Sequence, residues 1–434
     1  MGIKIPIPIG EDGLFMEITI DKNEGSVDSF PKDWKAVLLP DLLLSTSDPI
    51  KIGPFGSALK KELLKSKGYK VYGQQNIYDQ NMELGDRYIS SQYFKELKTF
   101  EIFPGDFLIS MMGTVGKCFI VPDNIEPGIM DSHLIRLKID PQIISAAFLS
   151  HLFRSPIINF QIKQLSVGGI MEGLSSKIIR AIHVPIPPTL AEQHAIAEAL
   201  NDMDVYIESL EQLIAKKRLI KQGAMQELLT GRRRLPGFDG KWVTKQLGKL
   251  ATITRGASPR PIDNPNWFDD NSSTGWVRIS DVTKSDIFLF ETSQRLSPQG
   301  IMHSRPVARN SLIMSICATV GYPIITKIDI CIHDGFVVFE HLFVDQLFLY
   351  YVLRNIENDW TKSGQTGSQM NLNTGLINRT EVQIPNTIDE QSAIANVFFE
   401  MDTEINALED KLDKARQIKQ GMMQELLTGR IRLV

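Results

Sequence analysis

The sequence has few cysteines, no long apolar run and no large excess of acidic or basic residues. Three cysteines among 434 residues are too few for a disulfide framework, and they are not spaced as a metal cluster. No apolar run approaches the ~18 residues that a membrane span needs, and the first residues lack the basic-then-apolar pattern of a signal peptide. We therefore expect a globular protein of the reducing cytoplasm.

The balance of charge is slightly acidic, with a net charge of −4 and a pI of about 6.0. A protein that binds duplex DNA unaided is usually basic, because neutralising phosphates supplies much of the affinity. Either the chain does not touch nucleic acid, or basic partners share that work. Charge alone does not decide between the two.

Motifs of catalysis are also missing. A Gly-x-Gly-x-x-Gly loop is absent, and Gly113–Lys117 lacks the six-residue span of a phosphate-binding loop. Asn264–Trp267 departs from the Asn-Pro-Pro-aromatic run of amino-methyltransferases. The seven histidines form no cluster with metal-ligand spacing, and no nucleophile stands beside a base in a recognisable pattern. These absences argue against an enzyme.

One long segment occurs twice. Val184–Leu235 and Val382–Leu433 align without a gap, and 30 of the 52 aligned positions are identical. Such self-similarity marks an internal repeat rather than shared composition. Weaker matches extend it: Phe30…Trp34…Leu39 corresponds to Phe238…Trp242…Leu247, and Ser110…Thr114-Val-Gly116 to Ser315…Thr319-Val-Gly321. The chain is therefore a tandem of two similar parts, in which near-identical segments alternate with divergent ones.

Each copy of the repeat carries the start and stop signals of a helix. Thr189–Glu192 and Thr387–Glu390 have the capping-box form, in which the threonine hydroxyl accepts from an amide of the first turn and the glutamate reaches back. Gly231 and Gly429 stand where helices commonly end in the left-handed conformation. About 41 residues at 1.5 Å each predict a helix of roughly 60 Å.

An apolar seam with coiled-coil spacing runs along each predicted helix. Its helix-pairing positions are Ile196, Leu200, Met203, Ile207 and Leu210 in the first copy and Ile394, Phe398, Met401, Ile405 and Leu408 in the second. Continued in phase, the seam meets Lys221 and Lys419. Either a charged residue fixes the register there, or the seam drifts and Ile220 and Ile418 turn inward. Because the seams match, we expect the two helices to pair with each other.

Two interpretations of the long helices stay open. They are spacers, or they present near-identical surfaces to a partner that binds twice. The basic residues near the end of the first helix are expected to form a solvated face with favourable charge at a helix C terminus; contact with phosphate is the alternative. These residues are Lys216, Lys217, Arg218, Arg232, Arg233 and Arg234.

The two divergent regions, 30–185 and 238–385, are predicted to be mixed α/β. Ile144–Phe153 and Asp345–Arg354 have the pattern of short amphipathic helices. Runs of the β type are Asp106–Ser110, Cys118–Val121, Ser311–Ser315 and Gly335–Phe339. Each region ends in a glycine-rich segment, around Gly168 in the first and Gly364 in the second.

Polar side chains in the loops of these regions are candidates for contact with DNA. Gly73–Asn76 and Val277–Asp281 stand at comparable places after the first loop of each region. Glutamine and asparagine can pair bidentately with adenine in a major groove, and arginine with guanine. A solvated loop is the alternative for each single residue. The candidates are Lys60, Lys61, Gln74, Gln75, Asn76, Thr114, Lys117, Arg255, Arg260, Arg278, Ser280 and Thr319.

The alternation of variable region and long conserved helix, twice over, resembles the specificity (S) subunit of type I restriction–modification systems. The resemblance covers essentially residues 30–434 and rests on motifs that occur in the same order twice. They are the Gln-Glu-Leu-Leu-Thr-Gly-Arg helix ends (226–232 and 424–430), the Leu-Pro-Gly-Phe-Asp-Gly-Lys-Trp entry to the second region (235–242), and the two Thr-Val-Gly turns. Residues 1–29 match no motif and are taken as an N-terminal extension.

The resemblance implies a non-catalytic subunit that recognises DNA. Each variable region would be a target-recognition domain for one half of a bipartite, asymmetric sequence. The two helices would pair as an antiparallel coiled coil in a pseudo-two-fold repeat. The implied boundaries are 30–187 and 235–385 for the recognition domains, 188–234 for the central helix and 386–434 for the C-terminal helix.

The resemblance also implies partners and places the cofactor in one of them. The partners are double-stranded DNA, two methyltransferase subunits, and the restriction and translocase subunits of the full complex. The methyltransferase would hold S-adenosylmethionine, and this chain would hold no cofactor and no metal. Two rival interpretations are a self-contained DNA-modifying enzyme and a coiled-coil scaffold with two protein-binding heads.

Overall fold

The computed structural model describes residues 4–9, 14–19, 30–55, 58–166, 174–357, 359–360 and 372–433. In this part of the chain no helix is both long and apolar enough to cross a membrane. The glycine-rich segments predicted around Gly168 and Gly364 lie outside the described residues. The chain divides into two compact units: unit 1 comprises residues 1–209 and 411–434, and unit 2 comprises residues 210–410.

Unit 1 mixes short strands with short helices. Its strands are β1 (Lys4–Ile9), β2 (Leu14–Thr19), β3 (Lys35–Leu38), β4 (Ile50–Ile52), β5 (Tyr69–Tyr72), β6 (Tyr88–Ile89), β7 (Phe107–Ser110), β8 (Cys118–Ile120), β9 (Gly128–Met130), β10 (Leu134–Leu137) and β11 (His183–Ile186). Its helices are α1 (Gln74–Tyr78), α2 (Ser91–Glu96), α3 (Ala146–Arg154), α4 (Pro156–Leu165), α5 (Ser176–Ala181), the first half of α6 (Leu190–Leu228) and the second half of α11 (Ile388–Leu426).

Two sheets form the body of unit 1. One has the strand order β4-β10-β7-β8 and is antiparallel throughout. The other has the order β6-β5-β9, with β5 parallel to β9. β7 is buried along its whole length, as its unbroken apolar run predicts, and α3 packs into the same core. The predicted strands 106–110 and 118–121 and the helix 144–153 are confirmed to within two residues.

Unit 2 repeats this plan. Its strands are β12 (Trp242–Gln246), β13 (Thr252–Arg255), β14 (Gly275–Val277), β15 (Phe288–Leu289), β16 (Gln294–Arg295), β17 (Arg305–Val307), β18 (Leu312–Ser315), β19 (Pro323–Thr326), β20 (Ile330–Ile332), β21 (Phe336–Glu340) and β22 (Glu381–Pro385). Its helices are the second half of α6, α7 (Ile279–Thr283), α8 (Pro298–Met302), α9 (Gln346–Asn355), α10 (Thr374–Arg379) and the first half of α11 (Ile388–Leu426).

The sheets of unit 2 correspond to those of unit 1. The order β13-β21-β18-β19 matches β4-β10-β7-β8 and gains β15 at its edge. The order β16-β14-β20 matches β6-β5-β9, again with a parallel pair, β14 and β20, and gains β17. The predicted strands 311–315 and 335–339 and the helix 345–354 are confirmed as β18, β21 and α9. The predicted mixed α/β class is confirmed in both units.

The first and last strands of each variable region pair just before the long helix begins. β3 pairs antiparallel with β11 in unit 1, and β12 with β22 in unit 2. A short 3₁₀ turn follows the first strand in each case, and its first residue, Leu39 or Leu247, is fully buried. The weakly repeated aromatic and leucine positions thus lie around the first strand of this pair, which joins the two ends of each variable region.

The long helices pair antiparallel within each unit. In unit 1 the core contains Ile196 and Leu200 from the start of α6 together with Leu426 and Leu427 from the end of α11. In unit 2 the same core positions are filled from the end of α6 and the start of α11. Each helix is 39 residues long. The predicted pairing as an antiparallel coiled coil is confirmed.

Charged pairs fix the register of the seam. Lys221 forms a salt bridge with Asp402 in unit 2, and Lys419 forms one with Asp204 in unit 1. The alternative, a seam that drifts to bring Ile220 and Ile418 inward, is wrong, because these side chains are 48% and 47% exposed. Each lysine occupies a seam position and is paired there with an aspartate of the other helix.

The capping boxes predicted from Thr-x-x-Glu form only in part. The Thr189 hydroxyl accepts from the Glu192 amide at 3.2 Å, but the glutamate does not reach back to the cap. Its carboxylate, almost fully buried, binds the Arg432 guanidinium through both oxygens. In unit 2 the Arg234 Nε and Nη2 atoms bind the Glu390 carboxylate at 2.6 and 2.7 Å. We call each glutamate–arginine pair a clasp.

Most of the basic stretch near the end of α6 is exposed, as predicted, and only Lys217 and Arg234 are half-buried. Besides the clasp at Arg234, Lys217 Nζ lies 2.6 Å from Glu404 and Arg218 Nη2 lies 2.5 Å from Glu409, both on α11 in unit 2. The charge pattern of α6 alone could not show these ion pairs, because the acidic residues lie on the other helix. Gly231 and Gly429 have φ values of 69° and 70° and end each helix in the left-handed conformation, as predicted.

Candidate nucleic-acid interface

The same four segments meet at one edge of each unit. In unit 1 these are the loop after β4, the loop and helix α1 after β5, the β7–β8 turn, and the loop after β9. Because β5 and β9 are parallel, their carboxyl ends lie side by side. A Cβ on Gly53 would lie 1.8 Å from the Asp131 carbonyl oxygen, and the Met111 amide donates to the His133 carbonyl at 2.8 Å. The segments are therefore in direct contact.

The turn after β5 is shaped by its own asparagine. Asn76 Oδ1 accepts from the Gly73 amide at 2.9 Å, and its Nδ2 donates to the carbonyls of Asn81 and Leu84 at 3.1 and 2.9 Å. The side chain is 5% exposed. Asn76 was predicted as a candidate for base contact, but its amide is fully engaged in the loop. Its role here is structural.

The two glutamines beside Asn76 are more exposed than Asn76. Gln75 is exposed, with its Nε2 atom 2.5 Å from the Asp79 carboxylate one turn on. Gln74 is half-buried, and its Oε1 atom lies 3.4 Å from the Tyr78 hydroxyl. Both project from α1, whose position the turn fixes.

The Tyr78 hydroxyl joins α1 to the Thr-Val-Gly turn. It donates to the Met112 carbonyl at 2.6 Å and accepts from the Thr114 amide at 3.1 Å. The structure thereby brings the predicted residues Gln74 and Thr114 together. Lys117 lies exposed in the same turn. Lys60 and Lys61 are exposed where a short 3₁₀ helix begins, in the segment after β4.

Serine and glycine explain why the Thr-Val-Gly turn recurs. In unit 1 the buried Ser110 hydroxyl donates to the Thr114 carbonyl at 2.7 Å, and Gly116 has a φ of 81°. In unit 2 the Ser315 hydroxyl donates to the Thr319 carbonyl, and the glycine two residues later has a φ of 85°. A positive φ favours glycine because it has no Cβ. The turn is thus a shared scaffold that positions Thr114 and Thr319.

Unit 2 holds the equivalent turn after β14. The Arg278 amide donates to Asp281 Oδ2 at 2.9 Å, just as Gly73 donates to Asn76. The prediction that these two segments occupy comparable places is confirmed. The half-buried Arg278 donates through Nε to Gln294 Oε1 at 2.7 Å, and Ser280 lies exposed on α7.

Asp334, in the loop after β20, gathers two of the predicted arginines. Its Oδ1 atom accepts from the Ser258 hydroxyl at 2.6 Å and its Oδ2 atom from Arg260 Nη2 at 3.1 Å. Its backbone carbonyl accepts from Arg255 Nε at 2.6 Å. The Ser258 hydrogen bond and the Arg260 charge lower the pKa of the Asp334 carboxyl, so it is ionised at neutral pH.

The histidine and cysteine near Asp334 are not set up for catalysis. His333 Nδ1 accepts from the Gly335 amide at 2.9 Å, and burial lowers the pKa of its imidazole. Burial and the neighbouring Asp334 charge raise the pKa of the half-buried Cys317 thiol, which keeps it protonated and weakly nucleophilic. Among the described residues no group of three or more His, Cys, Asp or Glu side chains could hold a metal ion. The surface offers hydrogen-bond donors and acceptors.

Several residues of this surface were not predicted. In unit 1, Asp131 Oδ2 accepts from Arg87 Nη2 at 2.9 Å, and a Cβ on Gly73 would come within 2.2 Å of that nitrogen. An aspartate near a histidine follows a short apolar strand in both units, at Asp131–His133 and His333–Asp334. That repeated pattern was a usable signal. Tyr78 carried none.

The seam positions lie where helix pairing requires. They are buried or half-buried within their own units. Ile196, Leu200, Ile394 and Phe398 are at most 1% exposed. The seam is thus buried within the core of each unit.

A family model described as "Type I restriction modification DNA specificity domain" matches the chain twice, at residues 32–217 and 239–418. The chain belongs to this family. The MjaVIII specificity subunit of a type I restriction enzyme from Methanocaldococcus jannaschii is 21% identical over 440 residues, covering 93% of this chain and 94% of the relative.

Solved structures share the fold. The S subunit of a type I restriction–modification system from M. genitalium is 14% identical with a TM-score of 0.57, covering 94% of this chain and 98% of that chain. A chain from a study of complex assembly and conformational transition of the type I R-M system is 16% identical with a TM-score of 0.57, covering 93% and 100%.

Family membership confirms the predicted function. A type I specificity subunit is the DNA-recognition component and is itself non-catalytic. The comparisons give no support to a self-contained enzyme or to a scaffold with protein-binding heads. The surface built around Asp334 in unit 2, and its counterpart in unit 1, therefore belong to a specificity subunit.

Proposed function

We propose that this specificity subunit reads a bipartite, asymmetric DNA sequence with one surface in each unit, and that the predicted boundaries 30–187 and 235–385 delimit the two recognition domains. The observation that carries the proposal is the pair of equivalent edges described above. The same four segments meet in both, yet amides line one edge and arginines the other. Shared scaffolds with unlike side chains suit two different half-sites, because base edges are read by side-chain donors and acceptors.

The candidate residues divide into two proposed roles. Exposed lysines and turn hydroxyls would position the DNA through its phosphates, which carry no sequence information: Lys60, Lys61, Thr114, Lys117, Ser280 and Thr319. Amides and guanidinium groups at the strand ends would read bases: Gln74, Gln75, Arg255, Arg260 and Arg278. Asn76 is left out because its side chain is committed to the turn.

We further propose that two methyltransferase subunits bind the long helices, carry S-adenosylmethionine and flip the target adenine, and that restriction and translocase subunits complete the assembly. The near-identical segments 184–235 and 382–433 support two equivalent docking surfaces. Because the seam is filled by helix pairing, docking would use outward positions. Ile220 and Ile418 are matched residues that are equally exposed, at 48% and 47%. The acidic net charge of −4 fits a subunit whose partners share the DNA.

The test is genome-wide adenine methylation, measured by single-molecule sequencing in a methylation-free host. The chain is expressed with the methyltransferase encoded beside it, and each protein is also expressed alone. We expect a bipartite motif that appears only when both are present. Methylation without this chain, or none despite a soluble complex, would contradict the proposal.

A further inference from the structure

Two exposed arginines of unit 2 share one acidic brace. Arg255 donates through Nε to the Asp334 carbonyl at 2.6 Å, and Arg260 donates through Nη2 to the Asp334 carboxylate at 3.1 Å. The Ser258 hydroxyl holds the same carboxylate at 2.6 Å. The Arg260 side chain is 70% exposed, so it is restrained without being covered.

The brace occupies Nε of Arg255 and one of the two N–H groups on Nη2 of Arg260, and it leaves the other N–H groups of both guanidinium groups available. Arg255 uses only Nε for the brace, which leaves its two terminal nitrogens side by side. Two parallel N–H donors of this kind match the O6 and N7 acceptors of guanine in the major groove. A free arginine side chain carries about 2 kcal/mol of rotamer entropy, so a brace that orders it beforehand reduces the cost of binding.

The Arg309–Asp329 pair of unit 2 is built differently. Arg309, at the other end of β18, directs Nε and Nη2 at one carboxylate, with Asp329 Oδ1 at 3.4 Å and Oδ2 at 2.8 Å. In that pair, the two parallel N–H donors of the arginine are both bonded to the protein. The Asp334 brace instead contacts each arginine through a single nitrogen.

An ionised carboxylate on a DNA-facing edge repels phosphate. Its presence at such an edge is explained if it orients arginines that bind the DNA. Asp334 lies beside His333 at the carboxyl end of β20, next to the Arg278 turn across the parallel β14–β20 pair. In unit 1 the corresponding Asp131 is 4% exposed, and its arginine, Arg87, packs over Gly73. That pair, in which only the aspartate is buried, shapes its loop, whereas Asp334 holds two exposed arginines.

We propose that Arg255 and Arg260 each read the guanine of a G·C pair in the half-site bound by unit 2, and that Asp334 is their positioning residue. The inference rests on the proposed function and adds the identity of the bases and of the group that orders their readers. It predicts G·C pairs in the half-site bound by unit 2 and makes no prediction about the bases of the other half-site.

The test is the methylation motif of variants co-expressed with the partner methyltransferase. Arg255→Lys and Arg260→Lys keep the charge and lose the paired donors; Asp334→Asn keeps the shape and loses the charge. In each we expect guanine discrimination at one or two positions of a single half-site to fall by about 5- to 150-fold, the range for loss of one bidentate contact. The other half-site stays unchanged.

Asp329→Asn is the matched control, because it makes the same substitution in an arginine–aspartate pair away from this edge. It should leave the whole motif as in the wild type. Thermal unfolding and complex formation with the methyltransferase are measured for every variant, so that misfolding is detected. A motif that is unchanged in Arg255→Lys and Asp334→Asn would overturn the inference, as would equal weakening of both half-sites or a half-site without G·C pairs. Absence of any motif with the wild-type chain would instead reject the proposed function, and the inference with it.

Discussion

His151 in unit 1 and Tyr351 in unit 2 hold corresponding places on α3 and α9, and each bonds to a side chain of a long helix. The imidazole Nε2 lies 2.9 Å from Asn201 Oδ1, and the Tyr351 hydroxyl donates to Asp402 Oδ2 at 2.8 Å. Burial lowers the pKa of His151 below its ordinary 6.5. Unit 1 therefore has a titrating group at a joint where unit 2 has a neutral phenol.

This histidine should make unit 1 sensitive to acid. A depressed folded-state pKa means that the unfolded chain binds more protons between that pKa and about 6.5, so stability is present above 6.5 and is lost as the pH falls through this window. We expect the midpoint temperature for unfolding of unit 1 to be lower at about pH 5.5 than at about pH 7.5. The difference should be smaller in His151→Gln. Calorimetry at both pH values measures the difference; equal slopes for the two proteins would contradict it.

Residue-level prediction from sequence succeeded where a local rule applied and failed where the partner is distant. The glycines with positive φ were identifiable because helix ends and tight turns require them. The clasps were not, because Arg432 and Glu192 lie 240 residues apart. The capping pattern was recognised, but its glutamate has a stronger partner that only the tertiary fold supplies. Asp334 was missed although an aspartate near a histidine follows a short apolar strand in both units.

At the scale of elements, the paired helices depend on charges within an apolar seam. Lys221 and Asp402 are 22% and 17% exposed, and the Tyr351 hydroxyl shares the carboxylate. Removing one partner of such a pair leaves the other poorly compensated. A polar residue at a seam position is also a known way of fixing register.

A double-mutant cycle on this pair should show strong coupling. Lys221→Met and Asp402→Asn should each destabilise unit 2 by about 1–3 kcal/mol, and the double variant by less than their sum, with a coupling energy of about 0.5–3 kcal/mol. Urea unfolding measures all four proteins.

The exposed pair Arg218–Glu409 joins the same two helices and is the control. Its coupling should stay within about 1 kcal/mol, as for surface pairs. Equal coupling at both sites would mean that burial in the seam adds nothing to the Lys221–Asp402 pair.

The existence and type of some elements, α3 and α9 among them, followed from sequence pattern, because apolar periodicity is a local property. The long helices and the strands β7, β8, β18 and β21 were predicted in this way. The parallel pairs β5–β9 and β14–β20 were not, since strand pairing depends on contacts far apart in sequence. Those pairs create the edges where the candidate residues meet, so the candidate surfaces could be guessed only as separate loops.

At the scale of the whole molecule, one of the two compact units is not continuous in sequence. The predicted boundaries treat each recognition domain and each helix as one segment, and they stay predictions. Unit 1 combines residues 1–209 with 411–434, and its core includes Leu426 and Leu427. Unit 2 is drawn from residues 210–410 alone.

Deleting residues 411–434 should therefore damage unit 1 far more than unit 2. The loss of two buried leucines costs about 1.5–3 kcal/mol each, and the clasp on Glu192 is lost as well. We expect much faster amide exchange in 107–184 and a smaller change in 312–384. Hydrogen-exchange mass spectrometry compares both regions in one experiment. Similar changes in the two regions would show that unit 1 does not rely on this segment.

The split composition of unit 1 sets an order of events during translation. About 200 residues, the whole of unit 2, leave the ribosome between the first part of unit 1 and its last part. At roughly 5–20 residues per second this takes on the order of 10–40 s. Throughout that interval Ile196 and Leu200 lack Leu426 and Leu427, which share their core in the finished protein. The nascent chain must therefore keep an apolar helix face out of contact with other polypeptides until its final turn has been made.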